Sequence, residues 1–131
     1  MKAILIMGSD SDRDHAEKIT SSLEELGVSF EVLVASAHKS PEKVLEIIRS
    51  YKKGDRVAFI TIAGRSNALS GFVAANTEKP TFACPPFKDK VDMSINIHST
   101  LQMPSNTPVL TVLDPGNCAL AVYRVLNLEN L

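Results

Sequence analysis

The chain has 131 residues, enough for one compact domain, expected over residues 1–131, and too few for a second domain with its own core. Hydrophobic residues make up 44% and charged residues 22%, with a mean hydropathy of +0.04, which carries no signal of disorder or of a membrane. A formal net charge of −1 and a pI near 6.3 supply no basic field, so nucleic acid is not an expected partner either.

Five apolar runs, at residues 3–7, 30–35, 57–63, 81–84 and 109–113, are short, rich in β-branched residues and bounded by Gly, Pro, Ser or Asp. Runs without polar alternation predict strands buried on both faces. The apolar part of the first run is too short for a secretory leader and ends at Gly8, so it reads as strand 1. Ala16, Ile19, Leu23 and Leu26 then recur at helical spacing, and Gly27 stands where a helix-terminating residue is wanted.

After the second run, Ser40 can cap a helix and Pro41 suits its first position. Val44, Leu45, Ile47, Ile48 and Tyr51 supply its apolar stripe, with Gly54 to close it. A third helix is expected from about Asn67 to Ala75, a fourth over Asp92–Leu101 before Pro104, and a last from about Asn117 to Leu128. Strands alternating with helices predict a parallel sheet with right-handed crossovers, which is an α/β fold. The architecture expected is a three-layer αβα sandwich with a flavodoxin-like sheet. Cys84 and Cys118 stand alone, without the spacing of a zinc site or a disulfide framework, and suit a reducing cytoplasm.

In open α/β sheets ligands bind beyond the carboxyl ends of the strands, where loops and helix N-termini converge. Three loops fall on that edge: Gly8-Ser9-Asp10-Ser11-Asp12, Ala35-Ser36-Ala37-His38-Lys39-Ser40-Pro41 and Ala63-Gly64-Arg65-Ser66-Asn67. The first offers hydroxyls and backbone N–H groups to a phosphate or ribose, although the same residues also serve as ordinary helix caps. His38 has no second His or Cys at ligand spacing, so a metal site is not expected. A solvated loop histidine is the plain alternative to a catalytic one. Its place at a strand end favours catalysis, and a histidine can give and take a proton in one turnover. Lys39 and Arg65 are the cations of these loops, Arg65 reading most simply as a solvated charge. His15 and His98 read as structural or exposed.

The three loops together resemble phosphoribosylaminoimidazole carboxylase of the class II branch. Met7-Gly8-Ser9-Asp10-Ser11-Asp12 matches M-G-S-x-S-D, Ser36-Ala37-His38-Lys39 matches S-A-H-K, and Ala63-Gly64-Arg65-Ser66-Asn67 matches A-G-R-S-N. Asn76-Thr77, Cys84-Pro85-Pro86 and Leu101-Gln102-Met103-Pro104 match in kind and order, so the resemblance spans nearly the whole chain. The class I branch shows S-A-H-R and G-G-A-A-H-L-P-G instead. Animal members carry an additional synthetase domain upstream, which is not expected here because strand 1 begins at Met1. Family members also continue past the last helix with a tail that helps subunits pack, whereas this sequence ends at Leu131.

The resemblance implies carboxylation of 5-aminoimidazole ribonucleotide (AIR) by carbon dioxide, a carboxy-lyase reaction of purine biosynthesis that needs no cofactor and no metal. It implies His38 as general acid/base, Ser9, Ser36 and Lys39 on the ribose phosphate, and Asp12 on the ribose hydroxyls. Gly64 and Ser66, with the backbone around Arg65, would line the carbon dioxide pocket. It also implies a homo-octamer with active sites near subunit contacts. Two alternatives stand beside it: the class I mutase, acting on the N5-carboxyamino isomer, and a non-catalytic nucleotide- or flavin-binding module. Against the latter, aromatics are 5% of the chain and there is no Trp to sandwich a flavin. A phosphoacceptor domain would need an aspartate at the end of strand 3, where Ala63-Gly64 stands.

Overall fold

The computed structural model describes residues 1–130. Five parallel strands, β1 (Lys2–Met7), β2 (Ser29–Val34), β3 (Val57–Ile62), β4 (Thr81–Ala83) and β5 (Leu110–Thr111), form one sheet in the order β2-β1-β3-β4-β5. This is the flavodoxin-like order, and the sheet's switch point lies between β1 and β3.

Apolar residues at every position of β1 after Lys2 allow helices on both faces. Ala3, Leu5 and Met7 join Ile60, Ile62 and Phe82 against α1 (Arg13–Glu25) and α6 (Pro115–Leu126), where Ile19, Leu23 and Val122 are buried. Ile4 and Ile6 point the other way with Phe59, onto Val44 and Ile48 of α2 (Pro41–Arg49) and Leu69 and Val73 of α3 (Leu69–Ala75). Three layers result.

Burial on both faces holds for β1, β3 and β4 but not for β2 and β5. The side chains of β2 are only half-buried beyond an exposed Ser29, and β5 pairs over two residues with Leu110 exposed. Both are edge strands, and an edge has a neighbour on one side only. Gly27 ends α1 in the left-handed conformation at φ 72°, as its place in the sequence suggests. Gly54 closes nothing: α2 stops at Arg49, and the following turn is tied by Asp55, whose carboxylate accepts from Lys52 N at 2.7 Å.

The expected fourth helix is two short pieces, α4 (Lys90–Asn96) and α5 (His98–Leu101), parted at Ile97. It begins earlier than expected because Asp89 caps it, accepting from Asp92 N at 2.9 Å. The last helix likewise begins at Pro115, capped by Asp114, which accepts from Asn117 N at 2.8 Å.

Candidate active site

At the switch point the loops after β1 and β3 diverge to opposite faces, and an open cleft of about 1130 Å³ lies between them and the loops after β2 and β4. Gly8 N donates to Ile62 O at 3.0 Å, which extends the β1/β3 pairing to the cleft floor. A 3-10 turn at Asp10–Asp12 then leads into α1. The Ser9 side chain caps this turn weakly, accepting from Ser11 N at 3.3 Å, while Asp10 pairs with Arg13. Asp12 makes no capping hydrogen bond. Its partly buried carboxyl lines the cleft, and burial raises its pKa above the ordinary aspartate value. Capping therefore accounts for Ser9 but leaves Asp12 open to a ligand.

The loop after β2 closes on itself. Ser40 occupies the cap position of α2, yet its Oγ turns back, accepting from Ser36 N at 3.0 Å and donating to Ser36 O at 3.2 Å. The predicted side-chain cap is thus replaced by a local hydroxyl–backbone pair, the competition to which serine is prone. Ser36 Oγ accepts from Lys39 N at 3.1 Å. The turn this makes carries Ser36, Ala37 and His38 on the cleft wall, with the imidazole exposed. Lys39 is exposed and does not line the cleft.

In the loop after β3, a Cβ on Gly64 would stand 2.6 Å from Pro86 O, so the backbones of the β3 and β4 loops touch here as only glycine allows. Ser66 has φ 41°, a left-handed conformation that costs a non-glycine residue about 1–3 kcal/mol and occurs where surrounding structure enforces it. Gly64, Arg65 and Ser66 line the cleft. Asn67, the last residue of the motif, does not: it is buried beneath the loop.

Of the residues singled out in the sequence, Ser9, Asp12, Ser36, His38, Gly64 and Ser66 meet in one cleft, and Lys39 stands outside it. Arg65 borders the cleft as an exposed residue, in keeping with a solvated charge, and adds to the field at Asp92. The Asp92 carboxyl is held below the ordinary range, first by the Lys88 N–H at 2.9 Å, then by the Asn96 amide at 2.6 Å, with Arg65 and Lys88 adding charge.

The fourth wall, from Pro86 through Asp89 to Val91, Asp92, Ile95 and Asn96, was not anticipated. The strand-end rule would have pointed to it, since the run at 81–84 ends on the same edge at Cys84-Pro85-Pro86. His15 is structural: its Nε2 lies 3.0 Å from Cys84 O, a hydrogen bond for the N–H tautomer. Cys84 and Cys118 are free and buried, and contact with Cys118 together with burial pushes the Cys84 thiol up, away from the reactive thiolate. Among the described residues no group of three His, Cys, Asp or Glu side chains is placed to hold a metal ion.

The profile of the AIR carboxylase family matches residues 2–131. The chain is 52% identical over 130 residues to a phosphoribosylaminoimidazole carboxylase of Archaeoglobus fulgidus, covering 99% of this chain and 71% of that protein. It is 44% identical over 128 residues to an N5-carboxyaminoimidazole ribonucleotide mutase of Methanocaldococcus jannaschii, covering 96% and 79%. The fold is similar to the crystal structure of Treponema denticola PurE, with a TM-score of 0.88 and 44% identity over 97% of this chain and 80% of that one. Motifs, sheet order, cleft and similarity over nearly all of this chain agree, and the chain belongs to the AIR carboxylase family.

Proposed function

We propose that this protein carboxylates AIR with carbon dioxide to 4-carboxy-5-aminoimidazole ribonucleotide (CAIR), reversibly, in de novo purine biosynthesis. The observation that carries the proposal is the meeting of a hydroxyl-rich helix-N-terminal loop, an exposed imidazole and a glycine-floored loop in one cleft at the switch point. Ser9 and Ser36, with the backbone N–H groups of their loops, suit the phosphate, and Asp12 suits the ribose hydroxyls. Gly64 and Ser66, which line the cleft, suit carbon dioxide and the new carboxylate, where fixed donors stabilise developing negative charge.

The aminoimidazole C4 is enamine-like and attacks carbon dioxide, forming a C–C bond and a tetrahedral carbon that bears both the carboxylate and its old hydrogen. His38 then takes that hydrogen as a proton, the C–H electron pair returns to the ring, and aromaticity is restored. In reverse, the imidazolium protonates C4 before carbon dioxide leaves. These steps use the chain's own side chains and call for no cofactor or metal.

Among the described residues no helix is long and apolar enough to cross a membrane. A cytoplasmic location and a homo-octamer are part of the proposal. The assembly is supported by Val91 and Ile95, 69% and 67% exposed on one face of α4 at the cleft, an apolar pair that a neighbouring subunit can cover. The mutase reading is kept alive by the Methanocaldococcus jannaschii relative. Lys39 and Arg65-Ser66-Asn67, where class I carries arginine and G-G-A-A-H-L-P-G, favour the carboxylase. The proposal is tested by supplying purified protein with AIR and labelled bicarbonate as the source of carbon dioxide: labelled CAIR is expected, and no label in product over the uncatalysed background refutes it.

A further inference from the structure

Asn67 carries a functional motif yet points away from the cleft. It is 5% exposed, and its amide is fully engaged: Nδ2 donates to Ser70 Oγ at 2.7 Å and to Thr100 Oγ1 at 2.9 Å, while Oδ1 accepts from Ser70 N at 3.1 Å. Its backbone N donates to Ser99 Oγ at 2.9 Å. Because Thr61 Oγ1 gives its one hydrogen to Phe82 O at 3.2 Å, it accepts from Ser70 Oγ, 2.6 Å away. One run of hydrogen bonds with a single polarity thus ties β3, α3, α5 and β4 to the residue that follows Ser66.

We infer that Asn67 is a positioning residue: its buried amide holds the loop after β3 so that Ser66, in its left-handed conformation, and Gly64 face the cleft. The inference rests on the carboxylation proposed above and assigns Asn67 no contact with substrate. A left-handed serine relaxes toward extended backbone unless both flanks are fixed. Upstream, the loop is fixed by Gly64 against Pro86. Downstream, the fixed point is Asn67, whose amide bonds replace water for a buried polar group and are costly to break. The difference from class I in this loop then works through loop shape as well as through groups that touch carbon dioxide.

The test uses two partners of Asn67 that do not line the cleft; Ser99 Oγ also donates to Asn96 O of the cleft wall at 3.1 Å, so the Thr100 pair carries the decisive comparison. Thr100→Val keeps the shape of a buried side chain and removes one acceptor of the Asn67 amide; Thr100→Ser keeps the acceptor; Ser99→Ala, at a partly exposed site, frees the Asn67 N–H. Thr100→Val and Ser99→Ala are expected to lower kcat about tenfold, the scale of a modest misplacement of groups at a reacting centre, with KM for AIR nearly unchanged. Amide hydrogen exchange over residues 64–67 should quicken in both, and Thr100→Ser should behave as wild type.

Unchanged kcat with unchanged exchange, or lowered thermal stability with kcat intact, would overturn the positioning role. So would a Thr100→Ser variant as impaired as Thr100→Val, because the methyl packing and not the hydrogen bond would then be at work. Exchange needs no substrate: if wild type fails to carboxylate AIR the functional proposal falls, while the exchange data still decide whether Asn67 holds the loop.

Discussion

Replacing Gly64 by alanine adds one methyl group at the point where two walls of the cleft touch. The new Cβ would lie 2.6 Å from Pro86 O and 3.7 Å from Pro86 C and Cδ. The near atom is a backbone carbonyl and cannot rotate away, so relief to an ordinary contact near 3.4 Å requires the two loops to part by roughly 0.8 Å. Overpacking of this kind costs about 1–3 kcal/mol. Alanine returns about 0.4–1 kcal/mol by restricting the unfolded chain, because Gly64 is not at positive φ.

The net loss is therefore about 0–2.6 kcal/mol, with a middle value of about 1.3 kcal/mol, which for a chain of this size lowers Tm by about 4–7 °C. The same displacement separates Gly64 and Ser66 from the reacting carbon, and a shift approaching 1 Å costs up to about 100-fold in rate. Calorimetry and steady-state carboxylation would read the two effects. Gly54→Ala is the control: a Cβ there meets nothing within 4 Å, and the variant should be as stable as wild type or slightly more so. A Gly64→Ala protein indistinguishable from Gly54→Ala in Tm and kcat would refute the close approach of the two loops.

His38→Asn is expected to keep the fold and AIR binding while losing most turnover, because the groups assigned to the phosphate lie elsewhere; near-normal kcat would remove His38 from proton transfer. Lys39→Ala should raise KM for AIR with little change in kcat if the exposed ammonium reaches over to the phosphate. An unchanged KM would leave Lys88 and Arg65 as the cations of the site. Asp12→Asn should weaken AIR binding yet raise Tm at neutral pH. Burial raises the Asp12 pKa, so the folded state bears a charged-form penalty at pH values above it, and that penalty disappears as pH falls through the raised value. The Tm difference between variant and wild type should therefore close on acidification, and a gap that widened would contradict the assigned direction.

The layered fold was legible because each strand is a short apolar run between turn residues, and because Gly27 and Pro41 punctuate the first two helices. Edge position was not: the 30–35 and 109–113 runs read much like the 57–63 run, since a side chain's composition does not tell how many strands will flank it. Local competition was equally hidden. Ser40 has the right identity for a cap, but Ser36 four residues back offers its hydroxyl a nearer partner.

In the site, residue types and strand-end placement drew six of the seven residues into one cleft. Direction was the missing quantity. Lys39 and His38 are neighbours on one turn, yet only His38 faces the cleft. Asn67 shares a motif with the cleft-lining Gly64 and Ser66, yet turns inward to Ser70 and Thr100, partners three and 33 residues away. The residue types of Pro86–Asp89 do not announce a ligand; only the strand-end position of this segment, with β4 beside β3, marks it as a fourth wall.

The central claim is that free carbon dioxide is the carboxyl donor, and it is tested most directly by following CAIR formation from two substrates in separate reactions. One supplies AIR with dissolved carbon dioxide; the other supplies the N5-carboxyamino isomer with free carbon dioxide continuously removed. Turnover from AIR and little or none from the isomer is the predicted result. Faster formation of CAIR from the isomer would contradict it and place this chain with the mutases of its family.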